Sequence, residues 1–457
     1  MLLPIHPPNP LCQEACPDFA GVRFGAAVTG GIRVIATLAL VMLTGMQPEC
    51  FAEPSVRSHV DAERGWSRFH GDDAHGMAAG VLPDKWSADD YEWSTDLGSV
   101  DVGSPVLNSN SVYLAASGDG AIDLVCLDVS TGEERWRRSH DFVDRRKHSR
   151  NTIASTTPAL DSQRVYFVYA DAEKLVALAY DHAGDLIWKR QLGSWVGQHG
   201  FGSSPVVYQD NVYIFDSQQV DQLEPGVKPG DSRMLALDSA TGVTRWSTQL
   251  AATRPCYGVP YVYESESGPT QLVAANKGNG LFGLRLNDGQ LMWSLSVFDK
   301  RCCSTPVVVE GVAFGSCGSG GGGNQFVGVK IPANGEDPQE VLRIDRNAPY
   351  VPSPAVADRL MLLVADRGIA TCVDTRALET RWSIRLGGNF GASPVVIGEK
   401  ALAISLDGEA HTIPLQPERP NPTRFHLGGP VGATPAIQGG RLILRIGPSL
   451  CSLRIDS

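Results

Sequence analysis

Residues 236–246 read ALDSATGVTRW, and versions of this phrase recur along the whole chain. CLDVSTGEERW stands at 126–136 and CVDTRALETRW at 372–382. Two more divergent copies are AYDHAGDLIW at 179–188 and LRLNDGQLMW at 284–293. A phrase that repeats at this spacing predicts a repeat architecture, in which each copy belongs to one supersecondary unit.

A second recurring phrase is a small residue followed by proline and then by β-branched residues. Seven of its eight prolines follow Ser or Thr, whereas Pro260 follows Val259. The prolines are Pro105, Pro158, Pro205, Pro260, Pro306, Pro354, Pro394 and Pro435. They alternate with the tryptophans Trp93, Trp136, Trp188, Trp246, Trp293 and Trp382. Leu342 and Phe425 occupy the two remaining slots of the tryptophan series, which makes eight anchors of each kind.

Each unit has the pattern of short β-strands. Apolar residues alternate with period two in SPVVYQDNVYIFDS at 204–217, and turn residues interrupt them. The Asp and the Thr-Gly of the tryptophan phrase predict a tight turn, because Asp accepts backbone N–H groups and Gly adopts positive φ. Four short strands every 40 to 55 residues predict an all-β, eight-bladed β-propeller with four-stranded antiparallel blades.

The two anchors are expected at opposite edges of a blade. Proline cannot donate to a strand ladder, so it suits the innermost strand, whose free edge faces the central channel. Tryptophan suits the outermost strand, where it buries a large area against the next blade. The last unit, residues 433–456, has three strands and no Trp, so we expect the strand around Trp93 to complete it and close the ring.

The N-terminal sequence predicts export. The apolar run at 34–45, followed by CFA at 50–52, is typical of a signal peptide and is shorter than the roughly 20 residues that span a membrane. We expect a leader over 1–52, an extension over 53–88 that packs on the propeller, and one propeller domain over 89–457. The mature chain should be a monomer without a transmembrane span, in the periplasm or cell envelope.

A net charge of −11 argues against nucleic-acid binding.

The longest loops are expected on one face of the propeller. Residues 137–151, RRSHDFVDRRKHSRN, form a basic loop in an acidic protein, and the insertion at 220–233 emerges on the same side. The candidate residues of this face are Arg145, Arg146, His148, Trp195, His199, Arg254, Arg301 and Tyr350. They indicate either a surface for an anionic ligand or acidic protein partner, or a solvated loop without a specific role.

For Trp195, packing over the channel mouth is favoured over ligand stacking. No metal site is predicted, because neither His148 nor His199 has further ligands at metal-binding spacing.

The tryptophan phrase also resembles the tryptophan-docking repeat of propellers of the pyrroloquinoline-quinone (PQQ) type. The matching residues are Ala236, Asp238, Thr241, Gly242 and Trp246. Residues 65–86 resemble the W-x-x-F-x-G leader that precedes such propellers in bacterial envelope proteins. The resemblance covers roughly residues 64–457. It extends to quinoprotein alcohol dehydrogenases and to the outer-membrane-protein assembly factor B group.

These two groups imply different functions. A quinoprotein dehydrogenase would hold PQQ and calcium over the channel and use an Asp base, and Cys302–Cys303 resembles the vicinal disulfide of those enzymes. No C-x-x-C-H haem motif occurs, and the calcium ligands match no motif of this chain. An assembly-factor homologue would be a scaffold that grips a partner protein with loops. We therefore favour a binding or scaffold protein that is not an enzyme and has no cofactor, with a PQQ-dependent dehydrogenase as the alternative.

Four cysteines are expected to meet at the loop face of blades four and five. Cys256 and Cys302 each stand four residues before the proline of their unit, and Cys303 and Cys317 belong to the second of these units. The alternatives are a Cys256–Cys302 or Cys303–Cys317 disulfide, a vicinal Cys302–Cys303 disulfide, a four-thiolate zinc site, and free thiols.

Overall fold

The structure is a computed structural model, and it describes residues 65–144, 147–251, 253–266, 268–333 and 336–455. These residues contain one short 3₁₀-helix, Ala88–Asp90, and thirty-three strands in eight sheets. The predicted leader over 1–52, Arg145 and Arg146 lie outside the described residues. Among the described residues, no helix has the length and apolar composition to cross a membrane.

The strands follow one another with short connections. They are β1 (Met77–Ala78), β2 (Tyr91–Asp96), β3 (Val106–Leu107), β4 (Ser111–Ser117), β5 (Ala121–Asp128), β6 (Glu134–Asp141), β7 (Ala159–Leu160), β8 (Arg164–Ala170), β9 (Leu175–Asp181), β10 (Leu186–Gly193), β11 (Val206–Tyr208), β12 (Asn211–Asp216), β13 (Arg233–Asp238), β14 (Thr244–Gln249), β15 (Tyr261–Tyr263), β16 (Gln271–Asn276), β17 (Gly280–Arg285), β18 (Leu291–Leu295), β19 (Val307–Val309), β20 (Val312–Cys317), β21 (Gln325–Lys330), β22 (Gln339–Ile344), β23 (Ala355–Ala357), β24 (Leu360–Val364), β25 (Ile369–Asp374), β26 (Glu379–Arg385), β27 (Val395–Ile397), β28 (Lys400–Ile404), β29 (Glu409–Pro414), β30 (Thr423–His426), β31 (Ala436–Gln438), β32 (Arg441–Ile446) and β33 (Ser449–Arg454).

The predicted eight-bladed propeller is confirmed. From β3 to β30, each successive set of four strands forms one antiparallel blade in chain order, which gives blades 1 to 7. Blade 8 consists of β31 to β33 together with β2, and β1 adds in parallel to β27 of blade 7. First strands of neighbouring blades contact each other, as β3 does with β7 and with β31, β7 with β11, β15 with β19, and β23 with β27. All eight begin at the residue after one of the eight recurring prolines, so each proline stands just outside the ladder to which it cannot donate.

The ring closes as predicted. Strand β2 pairs antiparallel with β33, with Ser94 opposite Cys451. Trp93 Nε1 then donates to the carbonyl oxygen of Val129 in blade 1 at 3.0 Å. The strand that precedes the first blade is therefore the outermost strand of the last blade, and one sheet holds both ends of the propeller.

A buried ion pair reinforces this closure. Arg445 of β32 and Asp101, in the segment before β3, approach to 3.1 Å, and their side chains are 1% and 0% exposed. Arg445 also donates to the carbonyl oxygen of Ala115 at 2.8 Å, and Asp101 accepts from the Ser117 N–H at 2.8 Å. The pair thus connects blade 8 to strand β4 of blade 1.

The recurring tryptophan phrase builds a contact between neighbouring blades. Asp238 Oδ1 accepts hydrogen bonds from the N–H and the hydroxyl of Thr241, both at 2.8 Å, and Gly242 has a φ of 69°. A Cβ on Gly242 would stand 2.7 Å from the ring of Trp188 in the preceding blade, whose Nε1 donates to the Ser239 carbonyl at 2.9 Å. The same glycine contact joins Trp93 to Gly132, Trp136 to Gly184 and Trp246 to Gly289. In these four contacts the tryptophan of one blade packs on the glycine turn of the next, and the repeated phrase thereby joins neighbouring blades.

The prediction that Leu342 and Phe425 occupy the two positions of the tryptophan series that have no tryptophan is confirmed. Leu342 lies opposite Gly328 and Phe425 lies opposite Ala410. These are the register positions of the tryptophan phrase, in which Trp246 lies opposite Ala236.

The segment from 65 to 78 lies across the channel. Its backbone carbonyls accept from blades 1 and 6, through Trp66 to Leu107 at 2.8 Å and His75 to Val356 at 2.8 Å. Leu107 and Val356 are two residues beyond the prolines of their blades, on the side away from the loops that precede those prolines. The segment therefore occupies the end of the channel opposite to the long loops.

Candidate functional site

The channel contains a cavity of about 450 Å³ on the propeller axis. Phe69, from the segment that lies across the channel, contributes to its floor. One ring of its wall consists of the residues immediately before the eight prolines. They are Ser104, Thr157, Ser204, Val259, Thr305, Ser353, Ser393 and Thr434. The cavity is therefore built from the recurring Ser/Thr-Pro phrase, and it faces the loops.

Hydrogen bonds between blades connect this ring. The Ser104 N–H donates to Thr157 Oγ1 at 3.2 Å, and the Thr434 N–H donates to Ser104 Oγ at 3.0 Å. The remaining links run from Thr157 to Ser204, Val259 to Thr305, Thr305 to Ser353, Ser353 to Ser393, and Ser393 to Thr434. Only at Val259 does the ring lack a hydroxyl. We call the seven serines and threonines the hydroxyl ring. From the sequence, a role was predicted only for the proline that follows each of these residues.

The wall widens above the hydroxyl ring. The residues two positions before the ring members also line the cavity, and three of them are Gly202, Gly391 and Gly432. At the same level the upper wall carries Tyr257 and Cys303, which precede the first strands of blades 4 and 5. A Cβ on Gly202 would have its nearest atom at 3.7 Å, whereas Leu406 and Val102 already fill the space beside Gly391 and Gly432. A small organic molecule therefore has room beside Gly202.

The mouth of the cavity is cationic. His148 and His199 contact edge to face with ring centroids 5.3 Å apart, and the Arg150 N–H donates to His148 Nδ1 at 3.1 Å. Arg150 and Arg301 line the cavity. Within the described residues neither forms an ion pair at 4.0 Å or less, although burial raises the pKa of the Asp366 carboxyl and the positive charge of Arg150 opposes this rise. No Asp or Glu of the described chain lines the cavity. This arrangement attracts anions.

Tyr350 and Cys303 form a neutral side of the wall. Burial raises the pKa of Cys303 to about 12, so the group is a thiol at neutral pH. Burial also raises the pKa of Tyr350 above its usual range. Behind them, Asp366 accepts from the Tyr350 N–H at 2.7 Å, and burial raises the pKa of this carboxyl. The side chains of Cys303 and Tyr350 are therefore neutral and do not repel an anion.

The sequence model of the family described as outer membrane protein assembly factor BamB matches residues 85–219 and 123–383, which is more than half of the chain. The chain belongs to this family. No curated protein matches the sequence.

Solved structures share the fold of this BamB-family chain at low sequence identity. BamB from Moraxella catarrhalis is 15% identical with a TM-score of 0.54, and the match covers 79% of this chain and 98% of that one. The quinohemoprotein alcohol dehydrogenase ADHIIG from Pseudomonas putida HK5 is 12% identical with a TM-score of 0.60, over 86% and 80% of the two chains. Sqt1 from Saccharomyces cerevisiae is 12% identical with a TM-score of 0.56, over 80% and 98%. These likenesses show the fold alone.

The cavity does not fit a calcium-bound quinone. Calcium takes six to eight oxygen ligands, and carboxylates are prominent among them. The described cavity lining has no Asp or Glu, and the described residues contain no group of three His, Cys, Asp or Glu side chains placed to hold a metal ion. We therefore derive no redox step through PQQ.

Two predicted residues of the face lie away from the cavity. Trp195 is 3% exposed, packs edge to face on Phe201, and donates through Nε1 to the Ser217 carbonyl at 2.9 Å. Arg254 Nε lies 3.5 Å from Asp221 Oδ1 in the insertion. For Trp195 these contacts favour the packing role over ligand stacking. By contrast, the fold brings His148, His199, Arg301 and Tyr350 to one cavity. A role for any of them in binding stays a prediction.

The described cysteines are free thiols. The Cys302 N–H donates to Cys256 Sγ at 3.3 Å across blades 4 and 5. Cys317 Sγ contacts Asp299 Oδ1 at 3.7 Å, whereas Cys303 lines the cavity. The contacts thus favour Cys256–Cys302 among the pairs considered, and a disulfide there stays a prediction.

Proposed function

We propose that this BamB-family propeller is an exported binding protein of the cell envelope, and that its loop-bearing face receives an acidic protein partner. The observation that carries the proposal is the cationic mouth. Arg150 and Arg301 stand beside His148 and His199 at the open end of a cavity whose described lining has no carboxylate.

Two lysines next to these loops are paired with carboxylates. Lys147 Nζ lies 3.0 Å from Asp144, and Lys300 Nζ lies 3.0 Å from Asp299. In a chain with a net charge of −11, Arg150 and Arg301 make the mouth a local site of positive charge. A local potential opposite to the net charge steers an acidic partner to one orientation.

The insertion of blade 3 gives this face a preformed shape. The Gln219 N–H donates to the Val196 carbonyl at 2.9 Å, and the Val220 N–H donates to the Thr253 carbonyl at 3.1 Å. Both bonds fasten the insertion to the loops before blades 3 and 4. A surface that is ordered before binding loses less conformational entropy on association.

A quinoprotein-type oxidoreductase is the second candidate. The axial cavity and its two arginines favour it, because guanidinium groups bind carboxylates of an acidic cofactor. The absence of carboxylate ligands for calcium from the described lining counts against it.

Replacing Arg150 and Arg301 by Gln should weaken partner binding and leave the melting temperature close to that of the wild type. Arg150 is exposed and Arg301 is half-buried, so neither supports the core. A photocrosslinking amino acid at position 148, in cells of the native host, should capture an acidic envelope protein from the wild type. The double variant should lose this product, and so should lysates adjusted to high salt before crosslinking, since salt screens exposed charges.

The matched control replaces Arg245 and Arg424 by Gln. Both are exposed arginines on outer strands, where they pair with Asp238 and Glu409. This control variant also loses two positive charges, but it should still form the crosslinked product. A product that ignores the mouth substitutions and the salt would contradict the proposed function.

A further inference from the structure

The hydroxyl ring has hydrogen-bond donors that the protein does not use. Each hydroxyl oxygen accepts one backbone N–H from the preceding blade. In the described part of the chain, none of the seven donates its own O–H to a protein acceptor. A hydroxyl carries one donor as well as two acceptor lone pairs, so seven donors are available at this level of the cavity.

These hydroxyls are buried as well as unused. The most deeply buried member, Thr305, is 1% exposed, and the least buried, including Ser104 and Thr434, are 4% exposed. A buried donor without an acceptor is costly, so the ring favours an occupant that accepts hydrogen bonds. Its circular arrangement presents the donors to one volume on the propeller axis.

The rest of the lining supplies few acceptors. The side-chain amide oxygen of Asn151 already accepts from the Ser155 hydroxyl. The described lining has no carboxylate, and its charged members are Arg150 and Arg301. The cavity is thus rich in donors and positive charge, which matches a group that only accepts hydrogen bonds.

We infer that the cavity binds a small organic carboxylate, with the carboxylate in the hydroxyl ring. An ionised carboxylate only accepts hydrogen bonds and has about four lone-pair sites, so it satisfies several ring donors at once. Phe69, Val102 and Val351 supply apolar surface for a carbon skeleton. The volume of about 450 Å³ falls in the range of small-molecule sites. This inference goes beyond the proposed function, because the ring lies below the loops and binding there needs no protein partner.

The test measures binding of a panel of carboxylates to the purified mature chain by isothermal titration calorimetry and ligand-observed NMR. The panel contains benzoate, phthalate, succinate and citrate, with phthalamide as the neutral match of phthalate. A peptide that ends in Asp-Asp presents the same group from a protein source. We expect at least one panel acid to bind at least about tenfold more tightly than phthalamide and than the peptide. Tighter binding of the peptide would instead assign the ring to a partner's acidic end and overturn a small-molecule site.

The Gly202→Phe substitution tests whether the carboxylate binds inside the cavity. An added Cβ at Gly202 has its nearest atoms at 3.7 and 3.8 Å, which is ordinary contact, so the new ring enters the cavity without backbone strain. The control is Gly321→Phe, where the nearest atom is at 3.6 Å and the residue does not line the cavity. Gly202→Phe should raise the dissociation constant at least about tenfold, and Gly321→Phe should leave it unchanged.

Ser353→Ala tests the ring itself. The substitution removes one donor and also the acceptor of the Thr305 N–H at 3.0 Å, so the melting temperature should fall in any case. A purely structural role would lower the melting temperature and leave the dissociation constant unchanged, whereas carboxylate binding requires a weaker affinity as well. The inference is overturned if no acid binds below about 10 mM. It is also overturned if the amide binds equally, or if both Gly202→Phe and Ser353→Ala bind like the wild type.

Discussion

A chain that begins at residue 98 should lose the cooperative thermal transition that a chain beginning at residue 87 retains. The longer chain keeps β2, whose Trp93 contacts blade 1 and whose backbone completes blade 8. Without β2, strand β33 becomes an open outer edge and Trp93 no longer joins blade 8 to blade 1. Because a domain of ordinary stability has only about 5–15 kcal/mol to lose, we expect the shorter chain to unfold or aggregate.

Comparing the two truncated chains distinguishes the effect of losing β2 from the effect of losing the segment that lies across the channel. Both truncated chains lack residues 65–78, so the loss of that segment cancels between them. Circular dichroism melts of the two chains, beside the complete mature chain, provide the measurement. Equal melting temperatures for the chains that begin at 87 and 98 would show that β2 does not hold the ring together.

Asp101→Ala should lower the free energy of unfolding by about 3–5 kcal/mol, because it leaves Arg445 buried without its counter-ion. Burial already lowers the pKa of Arg445, and loss of Asp101 removes the interaction that opposes this shift. Urea unfolding monitored by tryptophan fluorescence gives the measurement.

Two controls define the origin of this effect. Glu340→Ala removes one partner of the exposed Arg343–Glu340 pair and should cost less than about 1 kcal/mol. The double variant Asp101→Leu with Arg445→Met replaces the ion pair by apolar groups and should recover much of the lost stability. A cost below about 1 kcal/mol for Asp101→Ala would mean that the buried pair contributes little to closure.

The fold could be predicted because its determinants are local and repeated. Period-two alternation, a proline before each inner strand and a tryptophan on most outer strands are visible in any one unit, and counting them also predicted closure through Trp93. The path of the segment that contains Phe69 could not be predicted, since it depends on contacts with inner strands of distant blades. No local pattern indicated that Phe69 would contribute to the floor of the cavity.

The candidate site was predicted only in part, because some of its contacts also join distant parts of the chain. The loops before the inner strands must converge in any propeller, and this brought His148, His199, Arg301 and Tyr350 together. Trp195 is instead buried against Phe201 and hydrogen-bonded to the Ser217 carbonyl, in loops whose course no periodicity specifies. The hydroxyl ring was missed because its hydrogen bonds join residues 40 to 53 positions apart, or 330 positions apart at the closure.

We propose that this propeller binds an acidic partner at its cationic mouth, and the alternative is a quinone-dependent enzyme. The most direct measurement is an absorbance spectrum and a native mass spectrum of the protein purified from its own host at low salt. We expect no quinone absorbance, together with a protein partner that is released when the salt concentration is raised. One bound quinone per chain, retained at high salt, would contradict this proposal.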